Sequence, residues 1–232
     1  MTAINVIKVG GSILEPAPTP ALLAALSQLG RGQKLVLVHG GGKTLTALQA
    51  RLGQKSEFRA GLRVTDPAVL AAAVMAFAGT VNTSLVTALQ GAGFRAVGLT
   101  GADAAGITAA PVPELGAVGN VTAVQPDLLR TLLDAGYTPV LASLALGPDG
   151  GLLNVNADQF AAAVAAALGA ERLLFLTDVD GVWDAAGQPL RLASLDELRA
   201  LALSGALRGG MLPKAEACGA ALAAGVRRVE II

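Results

Sequence analysis

Apolar residues fall along this chain in two kinds of run. Six short runs, INVIKV, KLVLV, RAVGL, TPVLASL, RLLFL and RRVEII, are hydrophobic at most consecutive positions and rich in β-branched residues. Such runs are buried on both faces, as central strands of a parallel sheet are. Between them lie Ala/Leu-rich segments with helix start signals. Thr19-Pro20 and Asp66-Pro67 each place a capping residue before a proline at the first helical position. Ser194 to Glu197, SLDE, reads as a capping box. Strand and helix in alternation predict a doubly wound α/β fold with helices on both faces of a parallel sheet. The abundant alanine reads as core and helix filler, with no internal repeat.

Two stretches break this rhythm. GITAAPVPELGAVGNVTAV, residues 106–124, is rich in Gly and Pro and predicts hairpins beside the main sheet. LGPDGGLLN, Leu146 to Asn154, is a turn-rich break and the expected boundary between an N-lobe of about 1–145 and a C-lobe of about 146–232. With no flexible linker there, the lobes are expected to be halves of one continuous sheet in a single domain.

Composition narrows the partners. The 232 residues include 17 basic and 17 acidic side chains, 15% charged against 53% hydrophobic. Zero net charge without a basic run argues against nucleic acid and anionic membrane. Met1 to Val9 has no basic region before its apolar run, so no signal peptide is visible. An uninterrupted apolar stretch around Phe160 to Ala170 falls short of the ~20 residues that span a bilayer. The single cysteine, Cys218, cannot form an internal disulfide, nor can one histidine build a zinc site with it. A soluble protein of the reducing cytoplasm is the expectation.

Glycines follow three of the predicted strands: Gly10-Gly11, Gly40-Gly41-Gly42, and Gly181 in LTDVDGV. KLVLVHGGGKT is not a P-loop, because that pattern needs a glycine where Leu37 stands. Nor is it a dinucleotide fingerprint, which needs a glycine at Leu45. Either the glycines are simply tight βα turns, or they let backbone N–H groups approach a phosphate where such sheets bind ligands. Two polyglycine turns in the first 42 residues, one with Lys8 two positions before it, favour phosphate. At a strand's end Lys8 would put a charge into the ligand crevice. Asn154, Asn156 and Asp158 precede or open an apolar helix. Asn156 or Asp158 could be only its cap, although three polar residues in five exceed what a cap needs. Lys214, in RGGMLPKAEA, begins another helix and alone would be an ordinary surface lysine.

LLFLTDVDGVW is similar to the first motif of haloacid-dehalogenase-type phosphohydrolases. That motif normally opens the fold, whereas only 52 residues follow Asp180 here. An EF-hand reading fails for want of the third ligand and the acidic twelfth position.

Taken in order, IKVGGS, VLVHGGGK, AGLRVT, GLTGAD, LGAVGNV, GYTPVLAS, LLNVNADQ, LLFLTDVDGV and GGMLPKAEA resemble the amino acid kinase family, and its acetylglutamate kinases most closely. HGGG, GLRVT and NVNAD together set these apart from kinases of carrier-bound aminoadipate, aspartokinases, uridylate kinases and glutamate 5-kinases. The resemblance implies a three-layer αβα sandwich with an open, mainly parallel sheet. It implies ATP with Mg2+ on its phosphates, N-acetyl-L-glutamate as acceptor, and a homodimer. Lys8 and Lys214 would flank the transferred phosphoryl group, and Asp158 would hold both ammonium groups. Gly11, Gly41 and Gly42 would offer backbone N–H groups. Arg63 would clamp the substrate's α-carboxylate with its bidentate fork, and Asn154 would bind the acetylamino end. Besides Lys8, Gly10, Gly11 and Lys214, the ATP site would draw on Asp178, Val179, Asp180, Gly181, Val182 and Trp183, with Ala206, Leu207 and Arg208. The chain stops at VRRVEII, where members of the family usually continue into another helix and strand. Arginine-regulated members carry an extra helix before the first strand, for which this chain has no room. A same-fold kinase for another carboxylate, a non-catalytic amino-acid-binding regulator and a phosphohydrolase are the alternatives.

Overall fold

Strand β1, Ile4–Val9, buries both faces and takes the middle of the main sheet. The computed structural model describes residues 2–14, 17–59, 61–177, 182–183, 189–190, 194, 196–197, 200–201, 204 and 211–232. After β1 come helices α1, Gly11–Leu14, and α2, Pro20–Leu29, then strand β2, Lys34–His39, and helix α3, Gly42–Arg51. A short hairpin, β3 at Phe58–Arg59 and β4 at Leu62–Arg63, leads to helix α4, Pro67–Val74. A π-helical stretch, Met75–Val81, joins α4 to α5, Asn82–Gly91. Then follow β5, Ala96–Thr100, β6, Ile107–Pro111, β7, Val118–Val124, α6, Asp127–Asp134, and β8, Thr138–Ala142. The hairpin strands β9, Leu144–Leu146, and β10, Leu152–Val155, precede α7, Ala157–Leu168, and β11, Arg172–Leu176. Last come β12, Val182–Trp183, β13, Pro189–Leu190, α8, Met211–Ala223, and β14, Arg228–Ile231.

Six strands, in the order β14-β11-β1-β2-β8-β5, form one sheet in which every pairing is parallel. Alternate residues of these strands feed two separate cores. Val6, Val36, Val38, Leu141, Leu173 and Phe175 pack with α6, α7 and α8 on one face. Ile7, Leu35, Leu37, Val140 and Leu174 pack with α2 and α5 on the other. This is the three-layer αβα sandwich expected from the sequence. Each such side chain taken out of water contributes about 1.5–3 kcal/mol before chain entropy is set against it.

The helix starts form as their residues dictate. Thr19 Oγ1 accepts from Leu22 N at 3.2 Å, and Asp66 Oδ1 from Val69 N at 2.8 Å. Ser194 and Glu197 satisfy each other's backbone N–H groups reciprocally. Segment 106–124 does form an antiparallel hairpin, β6 with β7, which closes a small barrel with β9 and β10. LGPDGGLLN becomes the β9–β10 turn, closed by Gly147 N to Gly151 O at 2.7 Å.

The run Pro67–Gly91 is one 25-residue helix, apolar and long enough by composition to cross a membrane. Its start at Asp66-Pro67 was legible in the sequence, but its full length was not, because Asn82, Thr83 and Ser84 interrupt the apolar text. Val69, Ala72, Ala73, Ala76, Phe77, Val81, Leu85 and Leu89 are buried in the protein, so here it serves as a core helix.

Candidate active site

Parallel strands end together, and here β1 and β2 leave the sheet side by side, with Val9 opposite His39. Both run directly into glycine turns. Gly10 N donates to Leu176 O at 2.9 Å, tying the first turn to the end of β11, and Gly11 opens α1. At the second turn Gly41 precedes α3 with φ of 157°. A Cβ on Gly41 would lie 2.7 Å from Phe77 Cδ1, so only glycine fits between the turn and the π-helical stretch. Gly42 has open space where a Cβ would go. A cleft of about 230 Å³ opens over these turns, lined among others by Lys8, Gly11, Gly41, Gly42, Arg63, Asn154 and Asp158.

Lys8 and Asp158 of the cleft lining form an ion triad with Lys214, all three far apart in sequence. Lys8 Nζ lies 2.8 Å from Asp158 Oδ1, and Lys214 Nζ lies 3.1 Å from Asp158 Oδ2. β1 supplies the first lysine, α7 the aspartate and α8 the second lysine. All three side chains are mostly buried, at 13%, 9% and 7% exposure for Lys8, Asp158 and Lys214. The Lys214 ammonium also sits 5.0 Å from the centre of the Phe175 ring, a favourable cation–π distance. Burial lowers the Lys214 pKa, the Lys8 charge lowers it further, and Asp158 works against both. One carboxylate against two ammonium groups leaves the triad one positive charge in excess.

The capping question left open by the sequence has a geometric answer. Asn156 is the cap: its Oδ1 accepts from Asp158 N at 2.9 Å and Gln159 N at 3.2 Å. Asp158 stands in the first turn of α7, with its carboxylate turned to the lysines instead of to the backbone.

Arg63 also lines the cleft and is 8% exposed. Its Nη1 donates to Gln49 Oε1 and to Ser56 Oγ, its Nη2 to Gly42 O at 3.1 Å and Thr46 Oγ1 at 2.8 Å. The guanidinium lies 4.5 Å over the Phe58 ring. No salt bridge among the described residues includes Arg63, and burial lowers its pKa. The cleft therefore holds a buried cation satisfied only by neutral acceptors. Four of its five N–H donors are engaged, so a bidentate grip on a carboxylate would require some of them to exchange partners. Asn154 Nδ2 donates to Thr65 Oγ1 at 3.1 Å, close by on the cleft wall.

Lys8, Gly11, Gly41, Gly42, Arg63, Asn154 and Asp158 thus line one cleft, and Lys214 joins it through Asp158. Val182 and Trp183 form β12, paired with β13. Asp178, Val179, Asp180, Gly181, Ala206, Leu207 and Arg208 lie outside the described residues. Sequence reasoning missed Gln49, Ser56 and Thr46, whose signal is faint: Gln49 is a glutamine at a position of α3 that is 1% exposed.

It also missed His39. This ring is fully buried, with Nδ1 2.7 Å from Gly40 O and Nε2 2.9 Å from Asn82 Nδ2. A carbonyl can only accept, so Nδ1 carries the proton and Nε2 accepts from the amide. Burial pushes the pKa down to about 4, against the opposing bond to Gly40, so the ring is neutral near pH 7.

A parallel αβα sheet with anion-seeking turns at its strand ends is the scaffold of a phosphoryl-transfer protein. The family model for the amino acid kinase family matches residues 3–232, and the chain belongs to that family. Among curated relatives, it is 46% identical over 232 residues to the acetylglutamate kinase of Acidobacterium capsulatum, covering 98% of this chain and 89% of that one. Among solved structures, smu.665 from Streptococcus mutans superposes with a TM-score of 0.92 at 31% identity, covering 100% of this chain and 95% of that one. Carbamate kinase from Giardia superposes with a TM-score of 0.74 at 14% identity, over 99% of this chain and 92% of that one, which is a likeness of fold.

Proposed function

We propose that the protein is an acetylglutamate kinase, transferring the γ-phosphoryl group of ATP to the γ-carboxylate of N-acetyl-L-glutamate, a step of arginine biosynthesis. The observation that carries this reading is one cleft that holds two separate cationic groups: a triad with excess positive charge, and a buried Arg63 that no carboxylate among the described residues pairs with. That layout suits an acceptor with two carboxylates, one reacting and one anchoring. Kinship with acetylglutamate kinases supports the acyl-amino-acid over other dicarboxylates.

A carboxylate with a reference pKa of ~4.3 is already ionised near neutral pH, so no general base is needed. Its oxygen attacks the γ-phosphorus as the bond to the bridging oxygen breaks and ADP leaves. Bringing an anion against a polyanion is the difficulty, which positioning and charge stabilisation address. Lys8 and Lys214 flank the moving group, Asp158 holds them, and Gly11, Gly41 and Gly42 offer N–H groups. Arg63 takes the α-carboxylate and Asn154 the acetylamino end. Lys8, Gly10, Gly11 and Lys214, with segments 178–183 and 206–208, hold the nucleotide. No cluster of three or more His, Cys, Asp or Glu side chains fit to hold a metal occurs among the described residues. Mg2+ would therefore ride on the ATP phosphates and neutralise their charge. On this reading about 1–145 serves the acyl-amino-acid and about 146–232 the nucleotide, in a cytoplasmic homodimer. An ADP-release assay across N-acetylglutamate, glutamate, aspartate and aminoadipate tests it. Turnover restricted to N-acetylglutamate is expected, and preference for another acceptor would overturn the substrate assignment.

A further inference from the structure

The glycine turn between β2 and α3 is gripped from two sides. From above, the π-helical stretch sets Phe77 and Val81 against Gly41. From within the sheet, His39 Nδ1 donates to the carbonyl of Gly40. The next residue after the π-helical stretch, Asn82, completes the hold. Its Nδ2 donates both to His39 Nε2 and to Val140 O, each at 2.9 Å. β5 makes room for it: a Cβ on Gly98 would lie 2.0 Å from Asn82 Oδ1. The imidazole ring is thus held between Asn82 of α5 and the Gly40 carbonyl, and it does not itself line the cleft, although Gly40 does.

A buried polar network of this kind is costly unless every member is paired, and paired it fixes one geometry. The N–H groups of Gly41 and Gly42 make no backbone hydrogen bond among the described residues. Their direction depends on how the preceding Gly40 peptide is held. We propose that His39 is a positioning residue for phosphoryl transfer, its tautomer selected by Asn82, anchoring the Gly40 carbonyl so that the Gly41 and Gly42 N–H groups face the reacting oxygens. This rests on the kinase reading above and extends it to residues outside the cleft.

Two substitutions separate the ring's two bonds. In His39→Asn the amide nitrogen occupies the place of Nδ1, keeping the bond to Gly40 O and losing the one to Asn82. In His39→Gln the amide reaches only as far as Nε2, keeping Asn82 and losing Gly40. A misplacement of about 1 Å at a reacting group can cost roughly 10²-fold. His39→Gln is therefore expected to lower kcat about 30- to 100-fold with KM for ATP within about threefold, while His39→Asn stays within about fivefold of wild-type kcat. A merely structural histidine predicts equal losses in both variants, tracking their melting temperatures, and that result overturns the proposal. NMR gives a readout independent of substrate. The wild-type ring should show the Nδ1–H tautomer, and the Gly41 and Gly42 amide signals should shift in His39→Gln but not in His39→Asn. An Nε2–H tautomer, or unmoved glycine signals in both variants, sinks the proposal whatever the assay gives. If wild-type protein does not phosphorylate N-acetylglutamate, the substrate assignment fails, and the NMR comparison still decides the role of His39 in the turn.

Discussion

Replacing Asp158 by asparagine isolates charge from shape. The cap of α7 belongs to Asn156, so the helix start survives the change. What is lost is the one negative charge between Lys8 Nζ at 2.8 Å and Lys214 Nζ at 3.1 Å. At an effective dielectric near 20, each contact carries a gross attraction of about 5 kcal/mol, most of it offset by desolvation. The local charge rises from one positive to two. Two consequences follow with different signs. Positioning of both ammonium groups is lost, so kcat should fall about 10²–10³-fold, the usual result of disturbing preorganised charge at a transition state. Attraction for a polyanion increases, so KM for ATP should stay level or fall. Stability should drop by roughly 1–3 kcal/mol, about 2–10 °C in a chain of this size. Sulfate should restore more of the melting temperature in the variant than in wild type, because an anion that binds only the folded form stabilises it. Steady-state kinetics and thermal melts with and without sulfate on one preparation cover all of this. A kcat within threefold of wild type, or a KM for ATP that rises more than kcat falls, refutes the role given to Asp158.

The other expectations are shorter. Lys8→Arg and Lys214→Ala should each lower kcat about 10²–10³-fold with folded circular-dichroism spectra, and near-normal turnover in either would remove that lysine from the mechanism. Arg63→Lys exchanges a five-donor fork for a point charge and should raise KM for N-acetylglutamate far more than KM for ATP; the reverse would remove Arg63 from the acceptor site. Gly41→Ala drives a methyl group to 2.7 Å from Phe77 and should cost about 1–3 kcal/mol of stability, whereas Gly42→Ala, with open space around it, should melt within about 2 °C of wild type; equal melting of the two would contradict the packing described. His39 titrates near 6.5 unfolded but near 4 when folded, so its contribution is complete above pH 6.5 and is lost as pH falls toward 4. At 1.36 kcal/mol per unit that is roughly 3 kcal/mol, and denaturant melts from pH 7 to 4.5 should show a shallower decline in His39→Gln than in wild type.

How much of this was legible in the sequence depends on how local the cause is. Caps at Thr19, Asp66 and Ser194 act within three or four residues, and the text alone placed them. The six parallel strands were visible because burial on both faces leaves an unbroken apolar run. The hairpin at 106–124 announced itself through glycine and proline. Lys8 and Asp158 stood out by their local settings, but only family resemblance joined them to Lys214, because the contact from Asp158 to Lys214 spans 56 residues and no spacing rule reaches so far. The choice between Asn156 and Asp158 as cap was invisible for another reason. Both residue types cap equally well, and only the direction of the side chains separates them. The π-helical stretch has no sequence period of its own at seven residues, so nothing in MAFAGTV foretold that it would press on Gly41. The partners of Arg63 are three neutral side chains and a backbone carbonyl, which no charge pattern could have flagged.

The two cationic groups of the cleft are built in unlike ways, and the distribution of charge explains why. A triad that already contains its own anion need rearrange little when a phosphate approaches, because Asp158 keeps both ammonium groups in place. That is the property wanted where charge migrates during a reaction: dipoles and charges fixed in advance, with no reorganisation at the moment of transfer. Arg63 has no such internal partner among the described residues and leans on four neutral acceptors, so an arriving carboxylate gains a full opposite charge there. The first arrangement favours turnover and the second favours binding. This difference in pairing is why substitutions at Lys8, Asp158 and Lys214 should appear in kcat, and substitution at Arg63 in KM. A protein in which all four substitutions moved the same kinetic constant would not be using its cleft in this divided way.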